Sequence, residues 1–138
     1  WVKAAAQILN NMEGAVEKEV LSVVAEQDRT VAERIREEMF TFDDLCELDK
    51  RSMQKILGGV DTRVLALAIK ACDPKTERNV FDNLSKRARE MVEEERESLG
   101  PVPLAEVLES QKEILGVVRQ MIETGEIKVN RGGAAQLV

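Results

Sequence analysis

Aspartates at a regular spacing are the feature that most restricts how this chain can fold. Asp49, Asp61 and Asp73 recur every twelve residues, and each precedes a short segment whose apolar residues return at helical spacing. An aspartate at such a position accepts hydrogen bonds from the free N–H groups of the first helical turn and stabilises the positive end of the helix dipole. Pro74 suits the first position of the third segment, and Gly58-Gly59 suits the end of the first. The pattern predicts three consecutive short helices, each capped by its aspartate.

Composition supports an all-α fold. Aromatic residues make up only 3% of the 138 residues, helix formers dominate, and the three prolines lie near expected helix starts. With 43% hydrophobic residues the chain can bury a core, as one domain or two small ones. The net charge of −6 argues against a nucleic-acid partner, because phosphate backbones require a basic face. The chain contains no run of about 18 apolar residues, so we expect no direct membrane insertion.

The sequence shows no catalytic or metal-binding constellation. Histidine, the commonest general base and metal ligand, is absent, and the eight glycines form no phosphate loop. Cys46 and Cys72 lack the spacing of a zinc site or a disulfide framework, and we expect both to be small buried hydrophobes. We therefore expect no enzymatic activity, no cofactor and no metal.

The segment from Ser85 to Pro101 predicts a helix whose charge order opposes its dipole, since its basic residues come first and its acidic residues last. One side of this helix is an apolar stripe: Leu84, Ala88, Met91, Val92 and Leu99. Glu95 interrupts the stripe, so either the helix frays there or the carboxylate reaches past the edge of the core. The opposite side, which we call the charged ridge, consists of Lys86, Arg87, Glu90, Glu93, Glu94 and Glu97. Such a face is either solvated or a contact surface.

Several short segments form an ordered set along the whole chain. They are Met39-Phe40-Thr41-Phe42, Leu48-Asp49-Lys50-Arg51-Ser52-Met53-Gln54, Val60-Asp61-Thr62-Arg63, Leu65-Ala66-Leu67-Ala68-Ile69-Lys70, Ser85-Lys86-Arg87-Ala88, Leu99-Gly100-Pro101-Val102, and Gly125-Glu126-Ile127 followed by Arg131-Gly132-Gly133. In order and spacing they resemble the C-terminal part of the FliG family of flagellar motor switch proteins. An ordered set is far more specific than any one of its motifs.

The chain divides into three predicted parts. Apolar and charged types recur at a shift of sixty residues, as in Ala6 and Ala66, which favours an armadillo-like right-handed superhelix of short helices followed by a C-terminal helical bundle. Residues 1–38 form the N-terminal repeat and residues 43–138 the charged-ridge domain. Residues 39–42, Met39-Phe40-Thr41-Phe42, are expected to pack as a core plug between helices, and the family resemblance implies that they are a hinge; the two roles are compatible, because a hinge needs a contact that can repack. Asp43-Asp44 is expected to cap the helix after it.

The sequence also predicts features of the two ends of the chain. Helical spacing already runs from Val2 to Leu9, so we expect a fragment of a longer cytoplasmic protein. The family resemblance implies that Val138 lies near the natural end. Near the other end, a long helix is expected from Pro103 to Thr124, with these residues available for packing: Leu104, Val107, Leu108, Leu115, Val118 and Ile122. An extended segment at residues 127–129 and a turn at residues 131–133 follow.

The resemblance implies a rotor component that transmits torque and takes part in direction switching in the bacterial flagellar motor. Its implied partners are the cytoplasmic loop of the stator protein MotA, the rotor protein FliM and neighbouring FliG subunits in a ring. Its implied location is peripheral, in the flagellar basal body at the cytoplasmic face of the inner membrane. The family's stator-facing charges match Lys70, Arg87, Glu94 and Glu95. Pro103 departs from the family pattern, which carries an arginine there.

Two other functions remain open from the sequence. The family's fold resembles the helical cytoplasmic domain of the MgtE magnesium transporters, so the chain could be a cation-sensing module whose carboxylates repel one another until an ion bridges them. A generic α-helical adaptor is the other alternative. The Met-Phe-Thr-Phe and Gly-Pro-Val motifs favour the rotor function over both.

Overall fold

The computed structural model describes residues 1–128, which form helices and no strand. The α-helices are α1 (Val2–Asn10), α2 (Gly14–Gln27), α3 (Arg29–Met39), α4 (Lys50–Gly58), α5 (Thr62–Ala68), α6 (Pro74–Asp82), α7 (Lys86–Leu99) and α8 (Leu104–Glu123). Two 3₁₀ helices span Phe42–Glu47 and Ile69–Ala71. The predicted all-α class is confirmed, whereas the armadillo-like superhelix stays a prediction. The expected turn at residues 131–133 and the end of the expected extended segment, at residue 129, lie outside the described residues.

Contacts divide the chain into two compact units, the first of which is Trp1–Thr41. Within it, α1 and α2 both pack against α3. Asn10 ties the ends of two helices together, because its side-chain Nδ2 donates a hydrogen bond of 3.2 Å to the Met39 carbonyl. The core of this unit is formed by Ala6, Leu9, Leu21 and Ile35, with half-buried aliphatic neighbours around them.

The second unit begins at Phe42 and is built around α5. This short helix packs against both α7 and α8, and Ala66 and Ala68 are fully buried in it. Small side chains let neighbouring helices approach closely, which explains why a seven-residue helix can sit at the centre of the unit. Within the described part of the chain, no helix is both long enough and apolar enough to cross a membrane.

The predicted aspartate caps are confirmed at two of three helices. The Asp49 carboxylate accepts from the Ser52 N–H at 3.2 Å, and Asp73 accepts from the Lys75 N–H at 3.1 Å. Asp61 occupies the N-cap position of α5, but its side chain makes no capping bond, so that part of the prediction is wrong. The backbone carbonyl of Asp61 accepts from the Leu65 N–H at 3.0 Å, and the helix buries Leu65, Ala66 and Ala68.

Asp43 does not cap the helix that follows it. It lies inside the Phe42–Glu47 3₁₀ helix, and its Oδ1 accepts from the Asp73 N–H at 2.9 Å and from the Thr76 hydroxyl at 3.0 Å. Thr76 is fully buried, so this carboxylate satisfies a polar group inside the unit. Asp43 therefore fastens the start of α6, thirty residues away in sequence.

Several apolar residues expected to pack are exposed instead. Leu104 and Leu108 of α8 are 61% and 52% exposed, and Met91 of α7 is 48% exposed. The buried side of α8 is rotated toward Val107, Ser110, Gln111, Ile114 and Val118. Two polar residues, Ser110 and Gln111, are thus buried on α8, which apolar spacing did not predict.

The two cysteines are half-buried rather than buried. Burial raises the pKa of the Cys72 thiol to about 11, with Glu77 and Asp43 adding to the shift. Burial is also the largest cause of the raised pKa of Cys46, followed by the nearby Glu47 carboxylate. Both thiols stay protonated at neutral pH, which agrees with a packing role rather than a reactive one.

Candidate functional site

The helix that carries the charged ridge is well terminated in spite of its charge order. Ser85 caps it, because the side-chain Oγ accepts from the Ala88 N–H at 3.1 Å. Gly100 ends it with a φ of 59°, a left-handed conformation that glycine adopts without strain. Such a cap contributes about 1 kcal/mol, comparable to the cost of one or two charges placed against the dipole.

All six residues of the charged ridge are exposed, as predicted. One ion pair forms along this helix, between Arg89 and Glu93 at 3.3 Å. Arg87 and Glu94 make no ion pair within residues 1–128, so both charges are available to a partner. Seven residues, or about 10 Å of helix, separate them. That distance is close to the screening length in physiological salt, so a partner meets two separate charges of opposite sign.

The side of α7 next to the ridge is fastened to α6 by two arginines. Arg96 pairs with Glu77 at 2.5 Å, and its guanidinium lies 5.6 Å from the centre of the Phe81 ring. The guanidinium of Arg89 lies 4.9 Å from the same ring. Cation–π contacts of this kind contribute about 0.5 to 2 kcal/mol each. These contacts fix the direction in which α7 presents its charges.

Glu95 is held by an intramolecular partner. Its carboxylate lies 3.7 Å from Arg63 on α5, and its side chain is 36% exposed. The helix continues to Leu99, so the fraying considered from the sequence does not occur. The carboxylate instead reaches past the edge of the core to a cation. Of the two adjacent glutamates, Glu94 is exposed and Glu95 is engaged.

Lys70 lies on a turn outside α7, in the Ile69–Ala71 3₁₀ helix at the end of α5. Its side chain is half-buried and makes no ion pair with the ridge among the described residues. Gln111 of α8 holds this turn, since its Nε2 donates to the carbonyls of Ala68 at 2.8 Å and Ala71 at 2.7 Å. The predicted charges therefore fall into two groups, three on α7 and one on this turn.

The Met39-Phe40-Thr41-Phe42 motif runs across the boundary of the two units. Met39 ends α3 and is half-buried, as is Phe40, whereas Thr41 is exposed. Phe42 opens the first 3₁₀ helix of the second unit and is 5% exposed. Phe42 therefore packs in a core, and the hinge stays a prediction.

Sequence reasoning missed the residues that fasten these charges in place. They are Arg63, Glu77, Phe81, Arg96 and Gln111. Their partners lie between 8 and 43 residues away in sequence and on other helices, so no spacing within one helix predicts them. Within residues 1–128 no three Cys, Asp or Glu side chains are grouped in a way that could hold a metal ion.

The FliG C-terminal domain family matches residues 22–129 of the chain. The chain belongs to the FliG family. The flagellar motor switch protein FliG of Thermotoga maritima is 39% identical over 137 residues, which cover 99% of this chain and 41% of that protein. The FliG of Pseudomonas aeruginosa is 37% identical over 137 residues, covering 99% of this chain and 40% of the relative. This chain thus spans less than half the length of these FliG proteins.

Solved FliG structures share the fold. Full-length FliG from Aquifex aeolicus superposes with a TM-score of 0.83 at 33% identity, covering 90% of this chain and 39% of that one. A Helicobacter pylori FliG structure comprising its residues 116–343 superposes with a TM-score of 0.68 at 32% identity, covering 93% of this chain and 56% of that one. The all-α architecture is therefore that of FliG.

Proposed function

We propose that this chain is the part of a flagellar rotor and switch protein that receives torque, and that its charged ridge contacts the cytoplasmic loop of the stator protein MotA. The relatives it matches are named flagellar motor switch proteins. Since the chain spans 41% of the Thermotoga maritima relative, its action within the complete rotor is part of this proposal. FliM and neighbouring FliG subunits are the further proposed partners, in a ring at the cytoplasmic face of the inner membrane.

The observation that carries the proposal is the exposure of Arg87 and Glu94 on one side of α7, with no ion pair for either among the described residues. Their order opposes the helix dipole, so helix stability does not account for it. Exposed pairs contribute about 0 to 1 kcal/mol each, so contacts through them form and break readily. Weak, rapidly exchanged contacts of both signs suit a surface that passes force to a moving partner. No step of this action needs an enzymatic group.

Lys70 and Glu95 contribute to the proposed contact in different ways. Lys70 adds a cation from a separate turn of the second unit. Glu95 already faces Arg63 at 3.7 Å, so a cation of the partner must compete with Arg63 for it. We therefore propose that Glu94 is the principal acidic contact and that Glu95 is a secondary one.

The test is a double charge swap in the protein as cells assemble it. Arg87→Glu with Glu94→Lys places acid early and base late in α7, which the helix dipole favours, so folding should be unharmed or slightly stabilised. Swimming should be impaired while flagella still assemble. A matching charge reversal in the stator loop should restore part of the motility.

A second swap provides the matched control. Arg78→Glu with Glu109→Lys changes the same two charge types at exposed positions of α6 and α8, outside the ridge, and should leave swimming unchanged. Normal swimming of cells with the ridge swap, with protein levels and flagella intact, would remove Arg87 and Glu94 from the proposed contact.

A further inference from the structure

Within the described part of the chain, one side chain of another helix makes hydrogen bonds to the turn that carries Lys70. Helix ends leave several carbonyls without an intrahelical partner, and α5 ends by tightening into the Ile69–Ala71 3₁₀ helix. Gln111 of α8 supplies the missing donors. Its one NH₂ group donates to the carbonyl oxygens of Ala68 at 2.8 Å and Ala71 at 2.7 Å. The two carbonyls belong to residues on either side of Lys70.

The environment of Gln111 makes this contact specific. Its side chain is 8% exposed, and it lies on the buried side of α8 with Val107 and Ile114. Burying a side-chain amide lowers the stability of the fold unless the amide makes hydrogen bonds. Here both N–H bonds of the Gln111 amide have a carbonyl acceptor. Ile69, 3% exposed, anchors the same turn in the core. Lys70 is thus the half-buried member of a turn fixed on two sides.

We propose that Gln111 is a positioning residue for Lys70, holding the turn so that the ammonium is presented to an acidic partner in one orientation. This inference rests on the proposed function of Lys70 as a contact charge. A neutral amide suits the task, because its N–H groups serve both carbonyls, whereas an anion at position 111 would be repelled by them. The partner surface that fits Lys70 carries Asp or Glu side chains.

The first measurement uses a probe already present in the chain. Cys72 follows the turn directly, and its Sγ donates to the Ile69 carbonyl at 3.7 Å. In a Cys46→Ser background, Gln111→Met keeps the side-chain length but removes both donors. The reaction of Cys72 with a thiol reagent should then accelerate by at least about threefold, because the loosened turn exposes the thiol.

Two further variants make this measurement decisive. Gln120→Met makes the same change at an exposed position of α8 and should leave the Cys72 rate unchanged. Gln111→Asn retains an amide that is one methylene shorter, perturbs packing less, and should give an intermediate rate, which keeps the test valid if Gln111→Met folds poorly. An unchanged Cys72 rate in the folded Gln111→Asn and Gln111→Met variants would overturn the inference.

The second measurement separates positioning from general stability in motile cells. If Gln111 acts through Lys70, then Lys70→Ala and Gln111→Met should each slow swimming, and the double variant should swim no more slowly than Lys70→Ala alone. Additive slowing, or normal swimming of Gln111→Met beside impaired Lys70→Ala, would overturn this inference and leave the proposed function intact. Normal swimming of Lys70→Ala would remove Lys70 from the proposed function, and the inference would fall with it.

Discussion

At the scale of single residues, the Asp49 carboxylate links helix capping to acid stability. Hydrogen bonds from the Ser52 side chain, and then from its backbone N–H, hold the pKa of Asp49 below its ordinary value of 3.8. A carboxyl whose pKa is lower in the folded chain stabilises the fold above its unfolded pKa. That contribution disappears as the pH falls through the folded pKa, below about pH 4.

We therefore predict that Asp49→Ala lowers the free energy of unfolding by about 0.5 to 2 kcal/mol at pH 7. The difference from the unsubstituted chain should narrow as the pH falls below about 4, where the carboxylate is lost anyway. Urea denaturation at a series of pH values measures both effects. Asp61→Ala is the matched control, since Asp61 holds the same N-cap position in α5 without a side-chain bond, and it should cost less. Equal losses at pH 7 would contradict this prediction.

The aspartates also show which local features could be predicted from the sequence and which could not. Their spacing correctly predicted where three helices begin, because capping preferences act within one turn. It could not predict that Asp61 makes no bond or that Asp43 binds the start of α6. The second outcome depends on packing of the Phe42–Glu47 3₁₀ helix against the start of α6, thirty positions further along the chain, and nothing in the structure explains the first.

At the scale of secondary-structure elements, α7 depends on Arg96 for its attachment to α6. Arg96→Met should lower the free energy of unfolding by about 1 to 2 kcal/mol, because it removes an ion pair and a cation–π contact together. Arg87→Met makes the same change at an exposed position of the same helix. Its free energy of unfolding should stay within about 0.5 kcal/mol of that of the unsubstituted chain. Urea denaturation of the two variants provides the comparison. Similar stabilities would mean that the contact between Arg96, Glu77 and Phe81 does not hold α7.

The apolar stripes of α7 and α8 were predictable only in part. Val92, Val107 and Val118 are buried as their helical spacing indicated. Leu104 and Leu108 are exposed, whereas Gln111, seven residues after Leu104 and on the same side of α8, is buried and donates to the end of α5. Hydropathy ranks a glutamine below a leucine for burial. A glutamine that is buried because it makes hydrogen bonds therefore cannot be found from apolar spacing.

At the scale of the whole molecule, the helical class and the order of the elements could be predicted from the sequence. Its low aromatic content, its capping residues and its prolines all act locally, and local preferences that agree with one another specify a fold well. The exposed charges of the ridge were predictable for the same reason. The contacts that fasten Glu95 and Lys70 were not, since each joins residues from different helices.

Whether the Met-Phe-Thr-Phe motif acts as a hinge concerns the whole molecule, because the motif connects its two units. Phe42 is buried in the second unit, so Phe42→Ala should lower the free energy of unfolding by about 3 to 5 kcal/mol, and Phe40→Ala by less because Phe40 is half-buried. A loss of stability alone does not distinguish a hinge from a core plug. Phe81→Ala therefore serves as the control, since it truncates a buried phenylalanine outside the motif, whose ring lies beside Arg89 and Arg96 of α7.

If residues 39–42 are a hinge, the double variant Phe40→Ala with Phe42→Ala should broaden the distribution of distances between spin labels placed in residues 1–38 and in residues 43–128. Phe81→Ala should destabilise the second unit without broadening that distribution, because Phe81 lies in α6, outside residues 39–42. The physical reason is that a hinge needs a contact that can repack, and these two rings are the largest side chains at the boundary. One unchanged distance distribution in all variants would leave the motif with a packing role alone.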